Sequence, residues 1–318
     1  MANNYLPSLA IITPCLNEEV IIEESVKKLL NTLIDLSEKN LIDLNSSKIL
    51  VVDDGSSDNS WNILKKLHSK ESKVHCIKLS RNFGHQNALL SGILHSTEDL
   101  IITVDIDLQD DIVAMEKMIQ EHSNGNEIVY GVKKDRSADG FFKNFFATNF
   151  YAILSFLGAD VVKNHADFRL LSQKAIKALR EFKEINTYLR GLIPLLGFQS
   201  TTVEYTLSPR LSGETKYIYR KSLSLALDGI TSFSLTPLRI IGLLGFAMAF
   251  FSILISCYYL YESIFTDNTV PGWASTVLPI YFLGAIQLIS LGVISEYIGK
   301  LFLESKKRPN FIIEEVLE

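Results

Sequence analysis

Leu100–Asp111 reads LIITVDIDLQDD, and the reading of this stretch decides the fold. Leu100 to Val104 is a short apolar run of the kind that forms a buried strand. It stops abruptly in carboxylates: Asp105, Asp107, Asp110 and Asp111, with Gln109 among them. Hard oxygen ligands grouped at the carboxyl end of a strand suit Mg²⁺ or Mn²⁺ held jointly with substrate phosphates. In open α/β sheets, ligands bind outside the carboxyl ends of the strands. A polar turn into a helix, with Asp110 or Asp111 as its N-cap, explains the same residues without a ligand. A D-x-D pair alone does not separate these readings; the surrounding chain does.

On both sides of that stretch, strands alternate with helices. Leu9–Thr13 (LAIIT) is a first strand, Pro14–Glu19 its loop, and Val20, Ile21, Val26, Leu29, Leu30, Leu33 and Ile34 recur at helical spacing through Leu36. Lys48–Val52 (KILVV) is a second strand, running into Asp53-Asp54-Gly55-Ser56-Ser57-Asp58. That run is turn chemistry, with Ser57 or Asp58 placed to cap a helix through Leu67. Val74–Leu79 is a third strand, and Arg81–Gln86 leads into a helix over Asn87–His95. Beyond the opening strand come a helix near Ile112–His122 and a strand over Glu127–Val132. The alternation predicts an α/β domain with a mostly parallel sheet. After Val132 the aromatic series Phe141, Phe142, Phe145, Phe146, Phe150, Tyr151 and Phe156 reads either as core or as an amphipathic helix on a membrane surface.

The net charge of −5 over 318 residues provides no basic field for nucleic acid. Cys15, Cys76 and Cys257, odd in number and far apart, read as buried free thiols. Met1–Ser8 has no charged and apolar leader pattern, so the N-terminal part is expected in the cytosol. Late in the chain, Ile240–Tyr261 carries no charge over about 22 residues and Val270–Ser295 none over about 26, each enough to span a bilayer. Tyr258, Tyr259, Tyr261 and Trp273 are interfacial anchors. Arg210, Lys216, Arg220, Lys221 and Arg239 flank one side and Lys300, Lys306, Lys307 and Arg308 the other, while the loop between the spans has no Lys or Arg. The positive-inside rule then predicts a multi-pass protein of the inner or plasma membrane with both termini cytoplasmic. The expected organisation is a cytoplasmic domain over 1–209, a juxtamembrane amphipathic segment over 210–234, a two-helix transmembrane domain over 235–303 and a cytoplasmic tail over 304–318. Gly242, Gly245, Gly284 and Gly292 permit close helix packing, and Phe311–Leu317 reads as an exchanged strand or a docked tail, so a homo-oligomer is expected.

Several blocks, in order, carry a family resemblance. Thr13-Pro14-Cys15-Leu16-Asn17-Glu18-Glu19, Val51 to Asp58 and Asp105-Ile106-Asp107-Leu108-Gln109-Asp110 resemble the three donor-site blocks of family 2 glycosyltransferases. Ser80-Arg81-Asn82-Phe83-Gly84-His85-Gln86, Asp167 to Leu171, Arg210 to Tyr217 and Ser295 to Lys300 narrow this to the polyprenyl-phosphate branch. The set is similar to dolichyl-phosphate mannose synthases and, more closely, to bactoprenol glucosyltransferases with two C-terminal spans. Cys15 and Leu16 depart from the pattern, as does Asp110, which stands where His is common.

The resemblance implies a GT-A fold and an inverting, metal-dependent transfer from a nucleotide sugar, UDP-glucose, to polyprenyl phosphate such as undecaprenyl phosphate. It implies Asp105, Asp107 and Asp167 as catalytic, with Asp107 and Gln109 on Mg²⁺ or Mn²⁺. Pro14, Glu18, Asp53, Asp54, Arg81, Lys133 and Arg136 are the implied donor contacts. Arg169, Arg210 and Lys216 are the implied contacts of the acceptor phosphate, and Asp167 faces the acceptor as base or orienter. Transfer of mannose, an N-acetylhexosamine or a modified pentose to the same lipid is one alternative. A processive polysaccharide synthase is another, although neither Trp61 nor Trp273 sits in a Q-x-x-R-W block. A non-catalytic membrane binding protein on this fold is the third.

Overall fold

The computed structural model describes residues 5–133, 165–182, 188–206, 236–265 and 273–318. They fall into two compact units, one holding every strand and the other the two long C-terminal helices.

The first unit is built on β1 (Leu9–Cys15), β2 (Lys48–Asp53), β3 (Val74–Leu79), β4 (Leu100–Thr103), β5 (Ile128–Lys133), β6 (His165–Ser172), β7 (Ser200–Tyr205) and β8 (Ile313–Leu317). They form one sheet in the order β7-β5-β6-β4-β1-β2-β3-β8. β1 pairs in parallel with both β2 and β4, with Ile11 opposite Ile49 and Ile102. β6 enters antiparallel between β4 and β5, and β8 closes the β3 edge antiparallel. The sheet is therefore mostly parallel, as the alternation predicts. Phe311–Leu317, read as an exchanged strand or a docked tail, contains β8, which pairs here with β3.

Helices cover both faces, which is why the central strands are apolar throughout rather than alternating. α1 (Ile22–Glu38), α2 (Ser60–Lys70) and α4 (Ala114–Ser123) supply Val26, Leu29, Leu33, Leu64, Met115 and Met118 to a core shared with Ile11, Ile49 and Val51. α3 (His85–His95), α5 (Gln173–Leu179) and α6 (Leu189–Leu195) pack Ala88, Leu89, Ile93, Ile176 and Leu189 against Ala10, Ile12 and Leu50 on the other face. Neighbouring residues of β1 and β2 thus divide between two cores, as the two-residue period of a strand requires.

Three helix starts differ from the sequence reading. α3 begins at His85 rather than Asn87, because Gly84 at φ +94° makes the turn and its carbonyl accepts from the Asn87 and Ala88 N–H groups. α2 begins at Ser60, whose N–H donates to Asp58 Oδ1 at 3.0 Å. α4 begins at Ala114, and Asp111 closes a turn onto the Val113 N–H at 3.1 Å just before it instead of capping it.

In the second unit, α7 (Thr236–Phe265) and α8 (Trp273–Ser305) are 30 and 33 residues long. Both expose large apolar side chains, among them Leu243, Phe246 and Leu288. Among the described residues, one stretch, Phe282–Ser305, is long and apolar enough to cross a membrane by length and composition. The expected amphipathic segment over 210–234 and the aromatic series over 141–156 lie outside the described residues.

Gly92 sets how closely α3 approaches the sheet. A Cβ there would lie 2.6 Å from Ile12 Cγ2 and 3.1 Å from Val52 Cγ2, both in buried side chains. Gly92→Ala should therefore cost about 1–3 kcal/mol through overpacking. The measurement is the denaturant midpoint of the purified protein, and an unshifted midpoint would show that α3 can lift without cost.

Candidate active site

The loops after β1, β2, β3 and β4 leave the sheet at one edge, the carboxyl edge of the parallel strands. β6 runs the other way, so its first residues arrive at that same edge: Arg169 lies opposite Thr103 and Tyr130. The Thr103 hydroxyl donates to the Asp167 carbonyl and fixes that arrival.

Hydrogen bonds stitch the first three loops together. Asn17, at φ +56°, accepts from the Ser57 N–H at 2.8 Å, and Ser56 Oγ accepts from the Asn17 N–H at 2.9 Å. The Glu18 N–H donates to Ser60 Oγ, and its carbonyl takes the Ile21 and Ile22 N–H groups at the entrance to α1. Pro14 sits in β1 opposite Val52. Asp53 is fully buried; one carboxylate oxygen accepts from the Ser56 N–H at 3.3 Å and Oδ1 has no hydrogen-bond partner. Burial pushes its pKa up against the Ser56 contact.

Asp54 does a different job. Its two carboxylate oxygens accept from the Phe83 N–H at 2.7 Å and the Gly84 N–H at 2.9 Å. Burial raises its pKa, and these two bonds oppose the rise. Gly55, at φ +71°, lies directly under the same loop, where a Cβ would come within 2.4 Å of the Arg81 carbonyl carbon. Only glycine fits both the backbone angle and the gap. Arg81 stacks over the Phe83 ring at 4.0 Å, and its guanidinium also donates to the Asn82 carbonyl.

The loop so held delivers His85 to the carboxylates. His85 Nε2 lies 3.4 Å from Asp105 Oδ1 and 3.4 Å from Asp167 Oδ2. Burial works against charge on the imidazole, but Asp167 and Asp105 prevail and raise its pKa. Solvent reaches 45% of the Asp105 side chain from the open side, while protein crowds the rest. Desolvation, with repulsion from Asp167, Asp110 and Asp107, pushes its pKa up to about 6 in spite of His85. Asp110 is buried, and desolvation raises its pKa too; the Tyr205 hydroxyl and Lys133, at the ends of the paired strands β7 and β5, oppose that rise. Tyr205 Oη stops short of full hydrogen-bond geometry with Asp110.

Asp167 is the most heavily shared group. It accepts from Gln86 Nε2 at 3.0 Å, from Arg190 Nε at 3.3 Å and Nη2 at 3.0 Å, and from Arg169 Nη2. Burial alone would raise its pKa; His85, Arg169 and Arg190 hold it well below the usual carboxylate range. Arg169 is only 1% exposed and is built into the floor beneath Asp167. Arg190 of α6, 35% exposed, stands at the surface of the same cluster. Arg136, Arg210 and Lys216 lie outside the described residues.

The sequence reading missed the parts of His85, Gln86 and Arg190. His85 and Gln86 stand in the quoted block after β3. Arg190 lies in an apolar stretch, YLRGL, where nothing marks it.

Among the described residues, no three His, Cys, Asp or Glu side chains converge as a closed metal site. The donor set nonetheless fits a hard divalent cation that takes its remaining ligands from a substrate. Asp105 Oδ1 accepts no hydrogen bond, and desolvation first, then the neighbouring carboxylates, raise the Asp105 pKa against the pull of His85, so a cation at this edge would relieve both. Mg²⁺ characteristically binds through one or two carboxylates plus substrate phosphates.

The chain matches known proteins along almost its whole length. Residues 10–180 match the glycosyl transferase family 2 model, and residues 236–301 match the GtrB C-terminal hairpin. An uncharacterized glycosyltransferase, YkoT, of Bacillus subtilis (strain 168) is 42% identical over 311 residues, covering 97% of this chain and 91% of its own. A prophage bactoprenol glucosyl transferase homolog of Escherichia coli (strain K12) is 34% identical over 309 residues, covering 97% of this chain and 99% of its own. The bactoprenol glucosyl transferase of Shigella phage SfX is 33% identical over 307 residues, with 96% and 98% covered. With both segments matched in chain order, this glycosyltransferase belongs to family 2, in the branch that carries the GtrB C-terminal hairpin.

Proposed function

We propose that the protein transfers glucose from UDP-glucose to a polyprenyl phosphate, undecaprenyl phosphate in a bacterium, at the cytoplasmic face of the membrane. The observation that carries this reading is the grouping of Asp105, Asp107, Gln109 and Asp110 after β4, at the carboxyl edge of the sheet, where Asp105 Oδ1 accepts no hydrogen bond and has His85 Nε2 at 3.4 Å beside it. Such an edge attracts a divalent cation, and a diphosphate enters it together with that cation. The bactoprenol acceptor in the names of relatives matched end to end supports the lipid. The long helices α7 and α8, with their exposed apolar side chains, support two spans that hold the enzyme beside that lipid.

In this reading Glu18 and Asp53 hold the base and ribose, and Asp54 acts through the loop it clamps. Arg81 and Lys133, with Arg136, take the diphosphate. Asp107 and Gln109 hold Mg²⁺ or Mn²⁺, which when bound neutralises the departing nucleoside diphosphate. Arg210 and Lys216 take the acceptor phosphate. An acceptor phosphate oxygen attacks the anomeric carbon as the bond from that carbon to the diphosphate oxygen breaks. In-line attack inverts the centre, giving a β-linked lipid phosphate from an α-linked donor. A phosphate monoester has a second pKa near ~6, so its nucleophilic oxygen is already ionised at neutral pH. No strong base is needed. Asp167, held ionised by its cationic neighbours, serves as an orienter.

Two experiments test this. Purified protein in detergent is given undecaprenyl phosphate and a panel of labelled nucleotide sugars, with Mg²⁺ or Mn²⁺ and with chelator. UDP-glucose should yield a lipid-linked, chelator-sensitive product; product from another donor replaces the sugar, and none from any donor overturns the reading. Asp107→Asn should lower turnover by roughly 10²–10³-fold while the thermal unfolding transition stays in place. Wild-type turnover by the folded variant would remove Asp107 from the metal site.

A further inference from the structure

The β3–α3 loop that delivers His85 is held from two sides, and the second holder is the end of the chain. Asp54 grips Phe83 and Gly84. At the other end of the loop, the Ser80 N–H donates to the Ile312 carbonyl at 2.9 Å. The ladder continues from there, with Leu79 opposite Ile313 and Cys76 opposite Leu317. Its register shifts between Lys78 and Leu79, where the strand gives way to the loop. Phe83, Phe311 and Ile313 pack on the same core as α3.

Side chains fasten this terminal strand along its length. Lys78 pairs with Glu314 at 3.0 Å, Trp61 Nε1 donates to Glu315 at 3.2 Å, and Lys65 meets Glu315 at 3.1 Å. His95, the last residue of α3, meets Glu318 at 2.8 Å. The terminal residues therefore touch the strand before the loop, the loop's first amide and the far end of the helix after it. Exposed ion pairs of this kind contribute little each. Their placement matters more than their strength: Lys78–Glu314 and His95–Glu318 lie on either side of the β3–α3 loop, while Lys65–Glu315 ties the strand to α2 instead.

We propose that Phe311–Glu318 is a positioning element of the active site. By pairing with β3 and accepting from the Ser80 N–H, it fixes the β3–α3 loop and so sets His85 against Asp105 and Asp167. Ile312 and its neighbours are positioning residues and touch no substrate. This rests on the proposed reading of that loop as part of the donor site. In chain order the element follows α8 after a short linker, so the loop's geometry depends on residues that come after both long helices.

The test compares the full chain with a chain ending at Asn310, both purified in detergent, with and without a synthetic peptide of residues 311–318. Amide hydrogen exchange at Phe83, Gly84, Asn87 and Ala88 is read alongside transfer kinetics. The shortened chain should exchange faster at those amides, keep its protection in β1 and α1, and turn over roughly 10- to 100-fold more slowly. The peptide should restore both. Unchanged exchange at the loop overturns the proposal, and so does altered exchange with intact turnover. If the shortened chain does not fold, Phe311→Ala with Ile313→Ala weakens the docking while keeping the strand. A rise in exchange confined to the loop, with a fall in turnover, then supports positioning; a rise spread evenly over the sheet overturns it. Lys65→Ala should change neither readout. A full chain that binds no nucleotide sugar defeats the donor-site reading, and the exchange data still decide the positioning.

Discussion

The site depends on one buried carboxylate. Asp54 is 2% exposed and accepts from two consecutive backbone N–H groups across the gap between two loops. A carboxylate taken out of water costs several kcal/mol unless it is hydrogen-bonded, so these two bonds are not optional. They force the loop after β3 to fold down onto the loop after β2. Gly55 then has to lie beneath Arg81, where any Cβ would collide with backbone. Gly84 turns at φ +94°, α3 starts, and His85 is aimed as the first residue of that helix. Each step leaves one conformation open to the next.

The second constraint is the antiparallel insertion of β6. A fully parallel order would carry the start of this strand to the far edge of the sheet. Reversed, it brings Asp167 to the edge where β4 ends, with Arg169 directly beneath. An ion pair so deep is tolerated because Asp167 is shared among Arg169, Arg190, His85 and Gln86, which meets its charge from several sides. The cluster ties β6, α3 and α6 together through one carboxylate.

Much of this was legible in the chain, for identifiable reasons. β1, β2 and β4 are buried on both faces, so LAIIT, KILVV and LIIT announce themselves as apolar runs. The strand HADFRLLS does not, because its central Arg169 and nearby Asp167 are buried as a pair and break the pattern that periodicity reads. The tail FIIEEVL shows no apolar–polar alternation although exposure alternates along β8, and its pairing partner is nowhere near it in sequence. Asp54 was recognisable as a site residue, but whether a carboxylate meets a ligand or a neighbouring loop depends on which amides the fold brings to it. Arg190 carries no local signal, since its place is set by α6 packing against the sheet. For Arg169, charge points to a phosphate, and the fold adds its buried ion pair with Asp167.

On the proposed reaction, the arrangement of charge also selects the kind of acceptor. Donor diphosphate and acceptor phosphate are both anions, and they must approach an edge that carries Asp105, Asp107 and Asp110. Positive charge is supplied there by the cation assigned to Asp107 and Gln109, by His85 and by the N-terminus of α3, whose helix dipole points the same way. A sugar hydroxyl would need a base to take its proton, and the carboxylate best placed to act as one is held ionised by two guanidiniums and an imidazole. A carboxylate stabilised in its charged form is a weak base. A phosphate oxygen arrives without a proton to lose. The same ion pairs that make Asp167 unsuitable for a hydroxyl acceptor are therefore no handicap for a lipid phosphate, and they leave the site's positive groups free to do what that acceptor requires, which is to bring anions together.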